Sequence, residues 1–599
     1  MHKEFLMGNE AIGRAAAAAG VNVVAGYPGT PSTEVLETIA KENDGSIYVE
    51  WSVNEKCALE VAAGASYSGA RTLVTMKQVG LNVASDPLMS LEYVGVEGGM
   101  VVLVADDPGP ISSQTEQDTR TFAQYSKVPC FDPSDAKEAY DMLFEAFELS
   151  EKYKTPVFFR PTTRVCHAYQ SMEVRDYAEF VERRPEGFIK DSSRWVIFPK
   201  LSYINHAKIE ERNDALGLEF SSYARNKVFE GTTRKGIVSQ GISFAIVKDI
   251  IDEKTEDKPA LLKITTPFPF PEKLACDFLG KVDEVLVVEE LDPYIERQLL
   301  LVCGKYGLKV NIKGKLTGDV RRSGENTANL VNEYISKFMG WEHASSNEIE
   351  TPGLPVRPPV LCAGCPHRAS FYAVKAAMKG KETIFAGDIG CYTLGNAQPL
   401  DMVDTCLCMG AGLGIAQGVG RVKPDTKCFA FVGDSTFFAS AITGVVNAVY
   451  NQADMTLIVL DNSTTAMTGH QPHPGTGKTM MGEFTDKIDI ESILRGIGVR
   501  TVVKQNPFEF KKSVEVVKKV ADEPGMKAII FEAPCAVLFK PETPYVVDAG
   551  KCVDCRKCIR EIGCPGVIIR EGKVCIDETL CNGCGFCSQI CPCDAILRS

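Results

Sequence analysis

The end of the chain is crowded with cysteine. Ten of its 22 cysteines lie between Cys552 and Cys593, and the other twelve are spread over the rest of the sequence. Disulfides require an oxidising compartment, and residues 1–14 contain early charge but no apolar segment of the kind that a signal peptide has. The crowded cysteines are therefore predicted to bind metal rather than to form disulfides.

The spacing of these cysteines indicates iron–sulfur clusters. The run Cys581-x2-Cys584-x2-Cys587-x3-Cys591-Pro592 matches the bacterial ferredoxin motif, and an upstream run ending in Cys564-Pro565 repeats it with a longer last gap. In two-cluster ferredoxins the fourth cysteine of each run binds the other cluster. We therefore expect two [4Fe–4S] clusters, one on Cys552, Cys555, Cys558 and Cys591, and the other on Cys581, Cys584, Cys587 and Cys564. A zinc ribbon is the alternative, but two such runs, each closed by Cys-Pro, are hard to explain in that way.

Length and charge limit the remaining possibilities. A chain of 599 residues is too long for one hydrophobic core and predicts three to five domains. A formal net charge of −13 disfavours nucleic acid as a partner. No stretch approaches the roughly 18–20 apolar residues of a membrane-spanning helix, so we expect a cytoplasmic protein with no membrane partner.

Short apolar runs alternate with helical segments, which predicts several α/β domains. Runs at 21–25, 73–76 and 100–105 predict parallel strands of a first domain over residues 1–165, and the polar residues 166–232 predict a linker with some helix. Strands at 235–239 and 285–288 predict a middle α/β domain over 233–350, and strands at 428–432 and 457–460 predict a third over 355–542. The predicted fold class is multidomain α/β, with parallel-sheet domains and a C-terminal two-cluster ferredoxin-like α+β domain over 543–599.

Polar residues follow both strands of the third domain. Gly433-Asp434-Ser435 comes after the first of these strands, and Asp461-Asn462 comes after the second. The segment between them has room for a helix and a strand, so Asp434 and Asn462 are expected at the carboxyl ends of neighbouring parallel strands, where such sheets bind ligands. Carboxylate and amide oxygens suit Mg²⁺ that holds a diphosphate.

These motifs resemble Gly-Asp-Gly and Asn-Asn of thiamine-diphosphate enzymes, although Ser435 replaces the last glycine and Asp461 the first asparagine. The resemblance implies thiamine diphosphate as the cofactor, with Mg²⁺ bound by Asp434, Asn462 and the backbone carbonyl of Thr464. His367 and His470 are candidates for a contact with the diphosphate or the substrate, with surface loop positions as the alternative.

Thiamine enzymes also need a glutamate beside the aminopyrimidine ring of the cofactor. Glu55, with Ala58, Ala62 and Gly64 after it, matches the pattern of small residues that surrounds this glutamate. The resemblance makes Glu55 a catalytic residue, because a buried carboxylate suits acid–base chemistry. A solvated glutamate at the start of a helix is the alternative, and it is the role that we expect for Glu60.

Further segments resemble the 2-oxoacid:ferredoxin oxidoreductase family. The turn Tyr27-Pro28-Gly29-Thr30-Pro31-Ser32 is similar to its Tyr-Pro-Ile-Thr-Pro-Ser turn, which makes Thr30 a second catalytic candidate beside the cofactor and the substrate. Three further segments of that family are similar to Cys362-Ala363-Gly364-Cys365, Gly387-Asp388-Ile389-Gly390-Cys391 and Ala533-Pro534-Cys535 of this chain. The resemblance implies that Asp388 contacts the cofactor and that a third [4Fe–4S] cluster is bound by Cys362, Cys365, Cys391 and Cys535. A structural C-x2-C pair and unrelated loop thiols are the alternative.

The resemblance covers nearly the whole chain, and the domain order is similar to that of the branch acting on arylpyruvates such as indolepyruvate. It implies oxidative decarboxylation of a 2-oxoacid with coenzyme A to an acyl-CoA and CO₂, with electrons passed through the clusters to ferredoxin. It also implies a smaller beta subunit, in a heterodimer that pairs into a heterotetramer.

Other interpretations stay open at this level. The substrate could be pyruvate or a branched-chain 2-oxoacid, because pocket residues have no motif. A thiamine-dependent decarboxylase with a fused redox module, or an electron-transfer scaffold whose thiamine domains are relics, would share many of the same motifs. Lys77, Gln78 and Arg120 are candidates for contacts with the substrate or with coenzyme A.

Overall fold

The computed structural model describes residues 1–342, 353–355 and 357–599, which form two compact units, Met1–Pro352 and Gly353–Ser599. Of the predicted join between the middle and third domains, at residues 350–355, residues 350–352 lie outside the described residues. Within the described ranges, no helix combines the length and the apolar character needed to cross a membrane.

The first part of the first unit is built on a parallel sheet. Its elements are β1 His2–Met7, α1 Gly8–Ala18, β2 Val23–Gly26, α2 Thr33–Glu42, β3 Tyr48–Trp51, α3 Glu55–Tyr67, β4 Thr72–Lys77, α4 Gln78–Val94, β5 Met100–Ala105, α5 Thr119–Ser126, β6 Cys130–Phe131, α6 Ala136–Tyr153, β7 Val157–Phe159, α7 Thr163–His167 and β8 Tyr169–Val174. The strand order is β3-β2-β4-β5-β7-β6, with every pair parallel. Strand β5 is buried along its whole length, as the apolar run predicts for an interior parallel strand. Strands β1 and β8 form a separate antiparallel pair.

The second part of this unit is another α/β layer. Its elements are α8 Ser192–Trp195, α9 Pro199–Phe220, β9 Lys227–Phe229, β10 Lys235–Ser239, α10 Gly241–Asp252, β11 Ala260–Lys263, α11 Glu272–Leu279, β12 Glu284–Val288, α12 Tyr294–Tyr306, β13 Asn311–Lys313 and α13 Ala328–Met339, with a 3-10 turn at Tyr177–Glu179. The order is β13-β12-β10-β11-β9, and only β9 runs antiparallel to its neighbour. Strand β8 and helix α9 lie within the stretch that the sequence predicts as a linker.

The second unit contains a third parallel sheet. Its elements are α14 Pro366–Ala377, β14 Thr383–Ala386, α15 Ala411–Val422, β15 Lys427–Gly433, α16 Asp434–Thr436, α17 Ile442–Tyr450, β16 Met455–Asp461, α18 Ile490–Ile497, β17 Thr501–Gln505, α19 Phe510–Ala521 and β18 Met526–Glu532, with a 3-10 segment at Cys391–Asn396 and a π-helical turn at Phe437–Ala441. The order is β14-β15-β16-β18-β17, all parallel. Alternate residues of β15 and β16 fill two cores, one with α14 and α19 and the other with α15 and α17. The predicted α/β fold class is confirmed.

The cysteine-rich end forms a small α+β layer. Its elements are β19 Tyr545–Val547, α20 Lys557–Arg560, β20 Val567–Arg570, β21 Lys573–Ile576, α21 Phe586–Ile590 and β22 Ile596–Arg598, with β19 paired to β22 and β20 to β21, both antiparallel. Its core contains Cys558, Val567, Val574 and Ile596, with Cys564, Cys587 and Cys591 packed against them. A layer with so few apolar side chains usually needs metal ligation for stability.

Candidate active site

Asp434 lies at the carboxyl end of β15, directly beside the end of β16. Its side chain is 3% exposed. Oδ1 accepts the Ser435 N–H at 2.8 Å, and Oδ2 accepts the N–H groups of Asn462 and Ser463 at 3.1 and 2.8 Å. The backbone after both strands therefore holds the carboxylate at the edge of the sheet, where the sequence predicts it.

The side chain of Asn462 faces two oxygen atoms. One terminal atom of its amide lies 3.2 Å from Asp434 Oδ2 and 2.7 Å from the carbonyl oxygen of Thr464. If this atom is nitrogen, both contacts are hydrogen bonds. If it is oxygen, it accepts the Thr464 N–H at 3.3 Å and also faces two further acceptors, which a bound cation would hold together. The three groups are the predicted Mg²⁺ ligands, and their oxygens fit that ion.

His367 contacts the other end of this amide. Its Nε2 lies 3.3 Å from Asn462 Nδ2. Burial lowers the pKa of His367 to about 4, so the ring is neutral near pH 7 and Nε2 can accept an amide N–H. With the proton on Nδ1 the ring accepts the amide N–H, and with the proton on Nε2 it donates to the amide oxygen, so the contact fits either orientation of Asn462. His367 therefore contacts a predicted metal ligand.

His473 is a site residue that the sequence interpretation missed. It is buried, and its Nε2 lies 3.2 Å from Asp434 Oδ2, although the N–H is not aligned for a hydrogen bond. Burial raises the pKa of Asp434, but His473 and the donors around the carboxylate outweigh this effect and lower it. His470, which was the predicted residue of this loop, is exposed. The only available signal for His473 was its place in the loop that follows β16.

Asp388 and Gly433 shape the same crevice. Asp388 Oδ1 accepts the Gly410 N–H at 2.7 Å, and Oδ2 accepts the Tyr392 hydroxyl at 2.9 Å. Burial raises the pKa of Asp388 to about 6. A Cβ at Gly433 would lie 2.5 Å from the Tyr392 ring, so only glycine fits there. Asp388 thus ties the loop after β14 to the start of α15.

In the first unit, Glu55 begins α3, where Asn54 caps the helix by accepting the Cys57 N–H at 2.9 Å. The Glu55 side chain is buried, and a Cβ at Gly80 would lie 2.4 Å from its Oε1. Burial raises the pKa of Glu55 to about 7, against the opposing charge of Lys77. Glu60 is instead exposed and pairs with Lys56. Glu55 is therefore poised to exchange a proton near neutral pH.

Thr30 and Lys77 belong to the same edge of the first sheet. The Ser112 hydroxyl donates to the Thr30 carbonyl at 3.2 Å, and Lys77 Nζ donates to the Ser112 carbonyl at 3.1 Å. The Lys77 stem also passes Gly29, where a Cβ would lie 3.3 Å from it. Burial lowers the pKa of Lys77, while Asp107 and Glu55 raise it. The structure thus places both the Thr30 turn and Glu55 near one partly buried cation.

The suggestion that Arg120 contacts a substrate is wrong. Arg120 is fully buried and pairs with Asp118 at 2.6 Å and with Glu289 at 2.8 Å. Its remaining N–H groups donate to backbone carbonyls of Glu290 and Asp292. Gln78, in contrast, lines an open cavity of about 450 Å³ at the start of α4.

The tail cysteines gather in two sets. Burial raises the pKa of Cys558 to about 11, and the neighbouring thiols that add to this shift are Cys555, Cys591 and Cys552. Burial also raises the pKa of Cys587, and the neighbouring thiols that add to this shift are Cys584, Cys564 and Cys581, with a smaller contribution from Cys558. The four cysteines of this second set also line one cavity. Both groupings match the predicted ligand sets, and a four-iron cluster fits each because it takes every thiolate on a separate iron.

The four remaining predicted ligands lie around the Asp434 crevice. Burial raises the pKa of Cys391 to about 11, and Cys535 and Cys362 contribute further. The Cys365 N–H donates to the Cys362 carbonyl at 3.3 Å, and the Cys535 N–H donates to the Asn462 carbonyl at 2.9 Å. One cysteine of this third set, Cys535, is therefore hydrogen-bonded through its backbone to the predicted metal ligand Asn462. In the described part of the chain, no three His, Cys, Asp or Glu side chains converge on a single-ion site.

Two family models match the chain. The one described as pyruvate flavodoxin/ferredoxin oxidoreductase, thiamine diP-bdg, matches residues 14–201, and the one described as thiamine pyrophosphate enzyme, C-terminal TPP binding domain, matches residues 388–531. Together they span the positions of Thr30, Glu55, Asp388, Asp434 and Asn462.

Curated relatives match over almost the full length. Indolepyruvate oxidoreductase subunit IorA of Methanothermobacter thermautotrophicus is 43% identical over 99% of this chain and 97% of its own. Subunit IorA of Thermococcus kodakarensis is 39% identical over 98% of this chain and 96% of its own. A solved 2-oxoglutarate:ferredoxin oxidoreductase from Magnetococcus marinus aligns at 16% identity with a TM-score of 0.46, over 56% of this chain and 65% of that one.

Proposed function

Because the chain belongs to the family of indolepyruvate oxidoreductase IorA subunits, we propose that it oxidatively decarboxylates an aryl 2-oxoacid, indolepyruvate or another arylpyruvate, with coenzyme A. The products are the acyl-CoA, CO₂ and a proton, and the pair of electrons passes through the cysteine-bound clusters to ferredoxin. The relatives and both thiamine-binding models support thiamine-dependent oxidative decarboxylation of a 2-oxoacid.

One contact carries the choice of an oxidoreductase over a simple decarboxylase. The Cys535 N–H donates to the backbone carbonyl of Asn462 at 2.9 Å, so a predicted cluster ligand is bonded to a predicted magnesium ligand. An electron acceptor bound at Cys535 would lie beside the cofactor. A decarboxylase that releases an aldehyde has no use for such an acceptor.

Bound thiamine diphosphate supplies a carbon nucleophile for the keto group and a positively charged ring that accepts the electrons released with CO₂. Glu55 would hold the proton that activates the aminopyrimidine ring, and its burial keeps the carboxyl protonated up to about neutral pH. Asp434, Asn462 and the Thr464 carbonyl would hold the Mg²⁺ that binds the diphosphate. Thr30 would position the substrate at the edge where Lys77 lies.

The open cavity at the start of α4 supports an aryl substrate. Its lining includes the aromatic side chains of Phe122 and Tyr125 and the cation of Arg322. Gln78 and Leu81 also line this cavity. They belong to α4, the helix whose Gly80 lies against the Glu55 side chain. Aromatic rings stack on an aryl group, but the carboxylates of Glu116, Asp118 and Asp292 also line the cavity, so it supports a site for the aryl end of the substrate and not for its carboxylate.

The cysteine sets would carry the electrons. The Cys362, Cys365, Cys391 and Cys535 set would receive them beside the cofactor, and the two tail sets would pass them to an external ferredoxin. The relatives are named as subunits, which supports a smaller second subunit for this chain, as the family resemblance implies.

The test is an anaerobic assay of the complex with its smaller subunit, using a panel of aryl, branched-chain and short 2-oxoacids. We expect reduction of ferredoxin or a dye only when thiamine diphosphate, Mg²⁺ and coenzyme A are present, with the highest kcat/KM for an arylpyruvate. A preference for pyruvate would overturn the substrate class. An aldehyde formed without an electron acceptor would instead favour a decarboxylase with a fused redox module.

A further inference from the structure

Arg368 joins two cysteine loops that are far apart in sequence. It lies on α14 and is 5% exposed. One arm of its guanidinium donates to the backbone carbonyls of Ile562 and Gly563, both at 2.8 Å, and the other donates to the carbonyl of Leu361. Leu361 immediately precedes Cys362, and Gly563 immediately precedes Cys564. The same side chain therefore hydrogen-bonds to the backbone directly before Cys362 of the third set and directly before Cys564 of the second tail set.

The two loops also pack directly on each other. Gly364, in the left-handed region with φ +70, lies so close to Asn582 that a Cβ would come within 1.9 Å of its amide nitrogen. Arg368 and Cys365 line the same cavity as Cys564, Cys581, Cys584 and Cys587. The first loop is thus a wall of the cavity that the second tail set surrounds.

The guanidinium is a buried charge with a spare donor. Its Nε–H has no hydrogen-bond partner among the residues that the structure describes, although the atom is buried. Burial lowers the pKa of Arg368, and the thiols of Cys564, Cys365, Cys362 and Cys584 act in the opposite direction, so the group is electrostatically coupled to both sets. An arginine keeps its charge in such surroundings.

We propose that Arg368 is the charge that raises the reduction potential of the cluster bound by Cys564, Cys581, Cys584 and Cys587. A cluster gains one negative charge when it accepts an electron, and a fixed cation nearby stabilises that added charge because the protein interior screens it poorly. Its Nε–H can also donate to a cluster or thiolate sulfur, which acts in the same direction. Arg368 would influence electron transfer through its effect on this cluster. The inference rests on the proposed function only because it requires that the cluster is bound.

The test is an anaerobic redox titration of the two-subunit complex followed by electron paramagnetic resonance. The variant Cys584→Ala identifies the signal of this cluster by its loss. In Arg368→Gln we expect full iron content and a potential at least about 59 mV more negative, which is a tenfold drop in the equilibrium constant of a one-electron reduction. Arg368→Lys keeps the charge and should show a much smaller shift.

The matched control is Arg560→Gln. Arg560 also donates to a carbonyl in a ligand loop, that of Cys555 at 2.6 Å, but it is exposed, so water screens its charge. We expect little change in either tail potential. An unchanged potential in Arg368→Gln, an equal shift in Arg368→Lys or in Arg560→Gln, or loss of iron from Arg368→Gln would each overturn the inference. Absence of the clusters from the wild-type complex would be a different result, because it would refute the proposed function itself.

Discussion

The imidazole of His473 lies 3.2 Å from the carboxylate of Asp434, with both side chains buried. Its Nδ1 accepts the Gly475 N–H at 3.2 Å, so the proton of a neutral ring is on Nε2 and faces the carboxylate. The ring also packs against Phe438. His473 is therefore held with a donor at the edge of the predicted magnesium site.

His473→Ala should weaken binding of thiamine diphosphate with Mg²⁺ about tenfold, because loss of a side chain that packs against a metal ligand costs roughly 10- to 100-fold in metal affinity. Isothermal titration calorimetry on the apoprotein measures this directly. The control is His470→Asn, since His470 is exposed and has φ +68, a conformation that asparagine tolerates. Equal affinities in the two variants would show that His473 does not contribute to the site.

Glu55→Gln should lower kcat/KM at least about 100-fold, because it removes a proton-transfer group. Thiamine diphosphate should still bind, and the exchange of its C2 proton, followed by nuclear magnetic resonance, should slow to a similar degree. Glu60→Gln is the control, since Glu60 is exposed and pairs with its neighbour Lys56 on the surface of α3. Normal C2 exchange in Glu55→Gln would be incompatible with the role of Glu55.

The raised pKa of Glu55 also makes a prediction about stability. Its ordinary pKa of 4.5 rises to about 7 in the folded chain, so ionisation of this group favours the unfolded state. Without cofactor, the gain from Glu55→Gln should be absent at pH 4, appear above pH 4.5 and level off near pH 7, at roughly 3 kcal/mol. Urea unfolding of both proteins at several pH values checks this, and a gain that does not depend on pH would contradict it.

Gly80→Ala should displace the Glu55 carboxylate, because the new Cβ would lie 2.4 Å from Oε1. A displacement of a catalytic group by about 1 Å costs on the order of 100-fold in turnover. Gly304→Ala is a control on another helix, α12, where an added Cβ meets nothing within 4 Å among the described residues. That variant should keep its activity and gain up to about 1 kcal/mol of stability, since alanine is the better helix former. Full activity in Gly80→Ala would show that Glu55 can move without consequence.

Cys391→Ala should remove about four iron atoms from each chain if the third set binds a cluster. Iron and acid-labile sulfide analysis of anaerobically purified protein measures the loss. Cys575→Ala is the control, because Cys575 lies on β21 opposite Ile568 and has no place in any of the three sets. An unchanged iron content in Cys391→Ala would leave only the two tail clusters.

The sequence was most informative where ligands lie close together along the chain. The C-x2-C-x2-C runs lie in short loops, so their spacing predicts how the first three cysteines of each run group. The exchange of Cys564 and Cys591 between sets is implied by the resemblance to two-cluster ferredoxins. The sequence also predicted that Asp434 and Asn462 follow neighbouring parallel strands, because a single helical crossover joins two such strands. Arg120 shows the opposite case, since its partner Glu289 is 169 residues away and no local pattern indicates it.

The sequence by itself determined the types of group available and the order of the sheets that hold them, because motif spacing and hydrophobic periodicity are local properties of the chain. Only the tertiary structure decided that Gly80 covers Glu55, that His473 faces Asp434 and that Arg368 spans two cysteine loops. Burial and electrostatic coupling arise when segments distant in sequence pack together, and these interactions set the protonation and charge of the site.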